Sequence, residues 1–366
     1  MMSQKKRLIY ITETSLPTKS ANIINSLKFC DALSKFYDVK IYVPNISLKS
    51  SAIKKIYNLR NEIEFINIMK SNIYSFKYRF FFCLKVLIKL NLEKNNIILG
   101  RSILTSLFLT LLNIKNTLEL HHEPKSFTKF LFKLILSLPQ KKKLNLILIN
   151  KSLIKILKIK NLKYIVLDDG ADTYNFKFKK VQYIKKNSCV YMGSFYEGKG
   201  IEIICELSKL MPKIDFHLYG DTKTLKDKGK YFKYKNIKFF NYVEYNKIPY
   251  LLRNYKIALM PYQNIIKVRS SNLEISKYIS PLKMFDYLAA GNIIIASKLD
   301  AYNHILKNNL NSYLISNKNL NDWKIAIKKV INKTHNLNSI KINAINTAKK
   351  YSWDNRAKKY YNFIKN

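Results

Sequence analysis

Acidic residues are scarce in this sequence: 23 Asp and Glu stand against 66 Lys and Arg in 366 residues, a formal net charge of +43. Arginine is scarcer still, at 7 of the 66 basic positions. Lys, Asn and Ile are abundant together, the mark of AT-rich coding, so part of the charge reflects codon composition. The excess is also even, with 33 basic and 11 acidic residues (+22) in 1–180 and +21 in the rest. Such a field favours anionic partners in general (membrane surface, nucleic acid, sugar nucleotide) and singles out none. Only four cysteines occur, Cys30, Cys83, Cys189 and Cys205, each in an apolar context. Their spacing fits no metal site, and they read as buried free thiols of a reducing compartment. Long apolar runs are missing too. The nearest approaches, 80–90 and 130–138, are short or broken by Lys, whereas a spanning helix needs about 20 apolar residues. The start, Met1-Met2-Ser3-Gln4-Lys5-Lys6-Arg7, leads straight into Leu8-Ile9-Tyr10-Ile11, without the apolar length or cleavage site of a signal peptide. A cytoplasmic protein, at most peripheral on the inner face of the plasma membrane, is expected.

Glycine is the last scarcity. Gly100 stands alone before Gly170, and seven of the eight glycines lie from there onward. The first half therefore has no G-x-G-x-x-G and no ordinary dinucleotide fingerprint. The second half has the residue that lets backbone approach a phosphate closely. Apolar residues are ample at 48%, which argues against disorder, and the length exceeds a single core. Strand-like and helix-like segments alternate throughout. Strands are predicted over 8–11, 39–43, 64–68, 97–99, 117–120, 146–149 and 164–167, then over 189–192, 215–219, 237–240, 257–260 and 293–296. Helical patterns lie between, notably 20–34 and 200–210, and over the tail from 320 to 364. The basic, non-periodic stretch 176–187 reads as a linker. This is the pattern of parallel sheets covered on both faces. It gives an α/β chain with one Rossmann-like domain over 1–180 and a second over 188–350.

The densest signal is Ser280-Pro281-Leu282-Lys283-Met284-Phe285-Asp286-Tyr287-Leu288-Ala289-Ala290-Gly291-Asn292. Ser280 is placed to cap a helix and Pro281 to open it. Leu282, Phe285, Leu288 and Ala289 make one apolar stripe. Gly291 stops the helix, and Ile293-Ile294-Ile295-Ala296 follows as a buried strand. A helix start offers unpaired N–H groups and a positive dipole end, which suits a phosphate. Asp286, one and a half turns further on, is within reach of a ribose. Diphosphate and ribose together suggest a nucleotide-sugar site.

In Tyr191-Met192-Gly193-Ser194-Phe195-Tyr196-Glu197-Gly198-Lys199-Gly200 a glycine-rich turn follows a strand. Lys199 stands where an ammonium neutralises a diphosphate; taken alone, the pattern also fits a turn with a solvated lysine. Thr117-Leu118-Glu119-Leu120-His121-His122-Glu123-Pro124 follows a strand of the first half. Its histidines read as structural or as polar contacts to a substrate sugar, with Arg101 at the neighbouring strand end; a metal would need further ligands. The adjacent acids of Asp168-Asp169-Gly170-Ala171-Asp172 fit a metal site or, better, a turn-forming loop. The loop from Ser15 to Asn22, which includes Ser20 and Ala21, either touches substrate or is only a turn. Residues 70–94 interleave aromatics with lysine, and lysines recur without an acid between Glu123 and Asp168. Such helices lie on anionic lipid or pack conventionally with a solvated lysine face. No zinc finger, basic zipper or RNA-recognition motif appears, so no nucleic-acid partner is expected.

Taken in order, these segments resemble the glycosyltransferase family 4 type (glycosyl transferases group 1) of GT-B architecture, over nearly the whole chain. Residues 191–200 resemble its strand–glycine–lysine-glycine motif, and Phe216-His217-Leu218-Tyr219-Gly220 its hLyG strand. Asn236-Ile237-Lys238-Phe239-Phe240-Asn241-Tyr242-Val243 resembles the stretch beside the nucleobase, and Ile257-Ala258-Leu259-Met260-Pro261-Tyr262 the strand into the donor loop. Residues 280–291 are similar to an S-P-x-K-x-F-E-Y-x-A-x-G variant. Glu119-Leu120-His121 resembles an E-x-H motif, and Tyr351-Ser352-Trp353-Asp354 the start of a terminal helix.

The resemblance implies two facing Rossmann-like domains, with 351–366 returning as a helix to the first. It implies retaining transfer of a sugar from a nucleotide-sugar donor to an acceptor hydroxyl, in lipopolysaccharide, other bacterial surface polysaccharide or lipid-linked glycan synthesis. No metal or other cofactor is implied, and the donor is the implied partner. The basic, aromatic first domain and the lack of a spanning helix point further to a glycan or lipid-linked acceptor and an anionic membrane surface. His121 and Lys199 are the implied catalytic residues. Ser20, Ala21, Arg101, Gly193, Ser194, Tyr219, Tyr242, Val243, Ser280, Pro281, Leu282, Lys283 and Asp286 are the candidate substrate contacts. Three positions depart from the family pattern. Asp286 replaces a ribose-binding Glu, Tyr278 stands where many members carry another Glu, and Ser194 stands where Arg is common. Lys199 is then left to carry the diphosphate with Lys283 and the helix N–H groups. The alternatives are a non-catalytic basic protein that binds membrane or nucleic acid through the same scaffold, and a sugar-nucleotide epimerase or hydrolase.

Overall fold

The computed structural model describes residues 5–91, 96–177, 185–225, 228–268, 271–332 and 337–366. The expected linker over 176–187 falls largely on 178–184, outside the described residues, as do Met1 to Gln4. The chain divides into two compact units, Met1–Asp168 together with Trp353–Asn366, and Asp169–Ser352.

The first unit is built on β1 (Arg7–Ile11), β2 (Asp38–Val43), β3 (Glu64–Asn67), β4 (Ile97–Gly100), β5 (Asn116–Leu120), β6 (Leu144–Leu148) and β7 (Lys163–Val166). All pair in parallel, in the spatial order β3-β2-β1-β4-β5-β6-β7. Parallel neighbours need crossover connections, which helices supply. One core cluster joins Ile9, Ile11 and Ile98 of the sheet to Phe82 and Val86 of helix Phe76–Asn91. Helix Ala21–Leu33 packs with the terminal helix Trp353–Lys365, where Phe29 meets Tyr360 edge-on at 5.9 Å. Tyr360 donates its hydroxyl to Thr117 Oγ1 at 3.2 Å, so the last helix is part of the first unit.

The second unit holds β8 (Lys185–Met192), β9 (Asp215–Tyr219), β10 (Ile237–Phe240), β11 (Tyr255–Met260), β12 (Lys267–Val268), β13 (Ser271–Glu274), β14 (Ile293–Ser297) and β15 (Tyr313–Ile315). Six form a parallel sheet ordered β10-β9-β8-β11-β14-β15, and β12 with β13 makes a separate antiparallel ribbon. Alternation along β8 divides the core. Cys189 and Tyr191 join Phe216, Ile257 and Trp323, while Val190 and Met192 join Met284, Phe285 and Leu288. Both sheet faces are therefore apolar, as a helix-covered parallel sheet requires.

The tail is helical in three pieces, Leu320–Ile331, Leu337–Lys350 and Trp353–Lys365. All four cysteines are buried free thiols. No helix among the described residues is long and apolar enough to cross a membrane. One local expectation needs correction. Helix Leu282–Ala290 takes Pro281, in an extended conformation, as its cap. The Ser280 hydroxyl instead accepts the backbone N–H of Asp169 at 3.1 Å, so the cap lies one residue later than the Ser-Pro signal suggests. Gly291 ends this helix at φ +66°, as predicted from its freedom to enter the left-handed region.

Candidate functional site

In the second unit the strand order reverses between β8 and β11. Ligands of open α/β sheets sit beyond the carboxyl ends of strands at such a point. The turn after β8 carries Gly193, Gly198 and Gly200 at φ +132°, +82° and +86°. A Cβ at Gly198 would meet the Ile265 carbonyl oxygen at 1.9 Å, and one at Gly200 the Pro261 carbonyl oxygen at 1.8 Å. The turn is thus pressed onto the segment following β11, and glycine is required on both counts. That contact leaves Lys199 only 9% exposed. Its Nζ lies 5.0 Å from the ring centroid of Tyr262.

A second ammonium arrives from another element. Lys283, in the first turn of helix Leu282–Ala290, places Nζ 3.5 Å from the Tyr191 ring centroid and 5.4 Å from that of Tyr262. A Cβ at Gly193 would come within 2.8 Å of this Nζ, so the bare backbone there makes room for it. Lys283 Nζ is buried and has no hydrogen-bond partner among the described residues. Burial lowers Lys199 to about 8. Burial, reinforced by the charge of Lys199, drives Lys283 well below the ordinary lysine range. The faces of Tyr191 and Tyr262 offset part of the lost hydration. An anion with several oxygens relieves the rest, because each ammonium gains a charged acceptor. Pro281 makes no side-chain cap bond, so the first N–H groups of this helix add to the same electropositive corner.

Asp286 lies one turn further along, buried, and accepts the Tyr245 hydroxyl at 3.4 Å. Burial first, then the Asp286 charge, pushes the Tyr245 phenol well up. Tyr219 stacks on Phe240 with centroids 4.5 Å apart and pairs its hydroxyl with that of Tyr255 at 2.9 Å. Tyr242 and Val243 are half-buried in the loop after β10. The Ser194 carbonyl accepts the Tyr191 hydroxyl at 2.8 Å. Tyr278 is a core residue, donating to the Glu274 carbonyl at 3.1 Å. The structure thus gathers Gly193, Lys199, Pro281, Leu282 and Lys283 at one corner. It turns the Ser280 hydroxyl to Asp169 and the Tyr219 ring into an aromatic stack.

In the first unit the order reverses between β1 and β4. Gly100 pairs with Ile11 so closely that a Cβ would lie 2.6 Å from the Ile11 carbonyl oxygen. Arg101 follows, and its guanidinium reaches Glu119 at 3.2 and 3.1 Å, the Asn22 carbonyl at 3.0 Å and His121 Nε2 at 2.6 Å. Glu119, buried on β5, also accepts Arg356 Nη2 at 2.6 Å and the Tyr10 hydroxyl at 3.0 Å, and its Oε1 lies 2.7 Å from His121 Nε2. Burial disfavours an ionised Glu119. Arg101, His121 and Arg356 outweigh it and hold the carboxyl well below the usual range. Burial and the Arg101 charge push His121 down to about 3, so its imidazole is neutral at physiological pH. Ser20 caps helix Ala21–Leu33 by accepting the Asn22 N–H at 3.2 Å, and Ala21 is exposed.

Glu119, Arg356, Tyr191, Tyr245 and Tyr262 belong to these two clusters although sequence reasoning assigns none of them a site role. For Arg356 a signal exists. In a chain whose cations are nearly all lysine, Arg7, Arg60, Arg79, Arg101 and Arg356 each hold a carboxylate. Arginine marks the places where a planar, multi-pronged donor is needed. For the tyrosines, 26 in the sequence, no pattern separates cradle from core. Among the described residues no three His, Cys, Asp or Glu side chains are grouped to hold a metal.

The family described as Glycosyl transferases group 1 matches residues 172–347. The second unit carries a glycosyl transferases group 1 domain, which makes the chain a glycosyltransferase. The matched segment lies in the second unit, around the lysine pair. Several solved structures are similar to this glycosyltransferase over its length. Sucrose-phosphate synthase from Thermosynechococcus elongatus shares 11% identity at a TM-score of 0.74, covering 99% of this chain and 98% of that one. A glycosyltransferase from Rickettsia africae ESF-5 shares 15% at 0.73, covering 99% of each. Alr3699/HepE from Anabaena, in complex with UDP and glucose, shares 10% at 0.70, covering 98% and 99%. At these identities the likeness shows the fold, which is GT-B. No curated protein sequence matches the chain.

Two outcomes follow from the clusters. Lys283→Met removes a buried, unpartnered ammonium, so the ligand-free protein should gain about 1–3 kcal/mol and melt higher. A lower melting temperature would show that the lysine serves the fold. Glu119→Gln leaves two guanidinium groups facing a neutral amide and should cost about 3–5 kcal/mol in urea unfolding. A loss below about 0.5 kcal/mol would rank Glu119 with ordinary surface positions.

Proposed function

We propose that this glycosyltransferase moves a sugar from a nucleotide-sugar donor to an acceptor hydroxyl with retention at the anomeric carbon and without a bound metal. The acceptor is a lipid-linked or surface glycan met at the inner face of the membrane. One observation carries the donor reading: two buried ammonium groups, with no carboxylate paired to either among the described residues, beside an uncapped helix start at the switch point of the second sheet. The UDP and glucose held by the Anabaena structure of the same fold support it.

In this reading Lys199 and Lys283 bind the diphosphate and stabilise the charge that grows on it as the bond from the anomeric carbon to the phosphate oxygen breaks. Asp286, steadied by Tyr245, takes the ribose hydroxyls. Tyr219, Tyr242 and Val243 lie on the nucleobase side. His121, held by Arg101 and Glu119, orients the transferred sugar as a neutral hydrogen-bonding group. The acceptor oxygen attacks on the face the leaving group vacates, and its proton passes to the departing phosphate, so no separate base is required.

Lys199→Ala should lower kcat about 10²–10³-fold without lowering the melting temperature, in assays with a panel of UDP-, GDP- and ADP-sugars. Unchanged turnover rejects the assigned role. Free or isomerised sugar in place of a glycoside would assign hydrolysis or epimerisation instead, and silence toward every donor would favour a binding protein. The pH dependence has a definite sign. In the ligand-free protein both lysines are depressed, and a bound diphosphate raises them. UDP binding at about pH 7.5 should therefore take up protons, and affinity should fall as pH rises past about 8. Titration calorimetry in buffers of different ionisation enthalpy measures this; zero uptake would remove the lysines from the anion site.

A further inference from the structure

Helix Phe76–Asn91 buries Phe82, Cys83, Val86 and Leu90 along one edge. Its other side is not the polar face that a surface helix normally presents. Phe76 is 47% and Phe81 46% exposed. Helix Ser126–Ser137 buries Leu131, Phe132 and Ile135, yet leaves Phe127 48% and Phe130 59% exposed. The rings bring the two helices together: Phe76 meets Phe127 edge-on at 4.8 Å, and Phe127 lies 6.1 Å from Phe130. Contiguous apolar surface of this kind marks an interaction site.

The charge around it selects the partner. Neither helix contains an acid. Arg79 is held by Glu13 at 2.7 Å and Lys129 by Glu123 at 3.2 Å. Lys77, Lys85, Lys125 and Lys133 occupy exposed positions among the rings, with Lys77 Nζ 6.0 Å above Phe81. A protein partner would have to set carboxylates at several points within an apolar surface. An anionic leaflet offers phosphates over acyl chain at every point of the patch, so rings enter the interface while lysine stems carry their ammonium groups back to the headgroups. We infer that this aromatic and basic face docks the first unit on an anionic lipid leaflet, with Phe76, Phe81, Phe127 and Phe130 at the boundary of headgroup and acyl chain. The inference rests on the membrane-proximal reading of the acceptor and gives that reading a surface; it does not depend on the donor.

The test is flotation of the full chain with phosphatidylcholine vesicles containing about one-third phosphatidylglycerol, at about 0.15 M salt. The wild-type chain floats. The combined substitution Phe76→Ser, Phe81→Ser, Phe127→Ser and Phe130→Ser lowers the floated fraction at least about tenfold, with melting temperature and UDP affinity unchanged. The combination Lys77→Gln, Lys85→Gln, Lys125→Gln and Lys133→Gln weakens binding and flattens its salt dependence. Three results overturn the docking face: a wild-type chain that does not float, a fourfold serine variant that floats equally well, and a lipid-free dimer that the serine substitutions split, which would assign the face to a second copy. A wild-type chain that floats but binds no nucleoside diphosphate would sink the donor reading and leave this one standing.

Discussion

Two lysine side chains share one buried corner, with no carboxylate among the described residues to answer them. Most of what is unusual in the second unit follows from accommodating that pair. Gly193 has no side chain because Lys283 fills the space. Gly198 and Gly200 take positive φ so that the turn bearing Lys199 can lie against the segment after β11. Tyr191 and Tyr262 present ring faces where water would otherwise be. Uncompensated buried charge is expensive in a protein at rest. Its presence here is intelligible as the complement of a polyanion, with binding energy realised at the atoms that accept charge during reaction.

The first unit solves the opposite problem. Its buried carboxylate is answered from within: Glu119 sits among Arg101, Arg356, Tyr10 and His121. Such a network gives little net stability for the charges it buries. It does fix side-chain directions, and His121 is the group whose direction matters in the proposed chemistry. A neutral imidazole locked at Nε2 is suited to placing a sugar hydroxyl and unsuited to delivering a proton. One unit therefore pairs its buried carboxylate near its switch point, while the other leaves two lysines there without a carboxylate among the described residues.

The fold was legible because parallel strands buried on both faces read as short apolar runs with helical periods between them. Asp215–Tyr219 and Ile237–Phe240 fall where the sequence puts them, and most other strands differ by a residue or two. Strand Tyr313–Ile315 and the ribbon of β12 and β13 escaped because two to four residues carry no period. The lysine corner was half legible: motif spacing pointed to Lys199 and Lys283, but the tyrosine faces beside them depend on packing across β8 and β11. The cap at Ser280 misled because a distant backbone N–H, that of Asp169, competes for the same hydroxyl. Glu119 is the one acid of its strand, and only tertiary structure shows that two guanidinium groups, those of Arg101 and Arg356, converge on it.

The terminal helix Trp353–Lys365 packs in the unit whose other residues come first in the chain. On the ribosome that unit emerges lacking one helix, and its buried carboxylate lacks the Arg356 guanidinium. The contiguous segment Asp169–Ser352 has every piece it needs sooner. Synthesis normally favours completion of the leading domain; here the trailing one can close while the leading one still lacks its final helix.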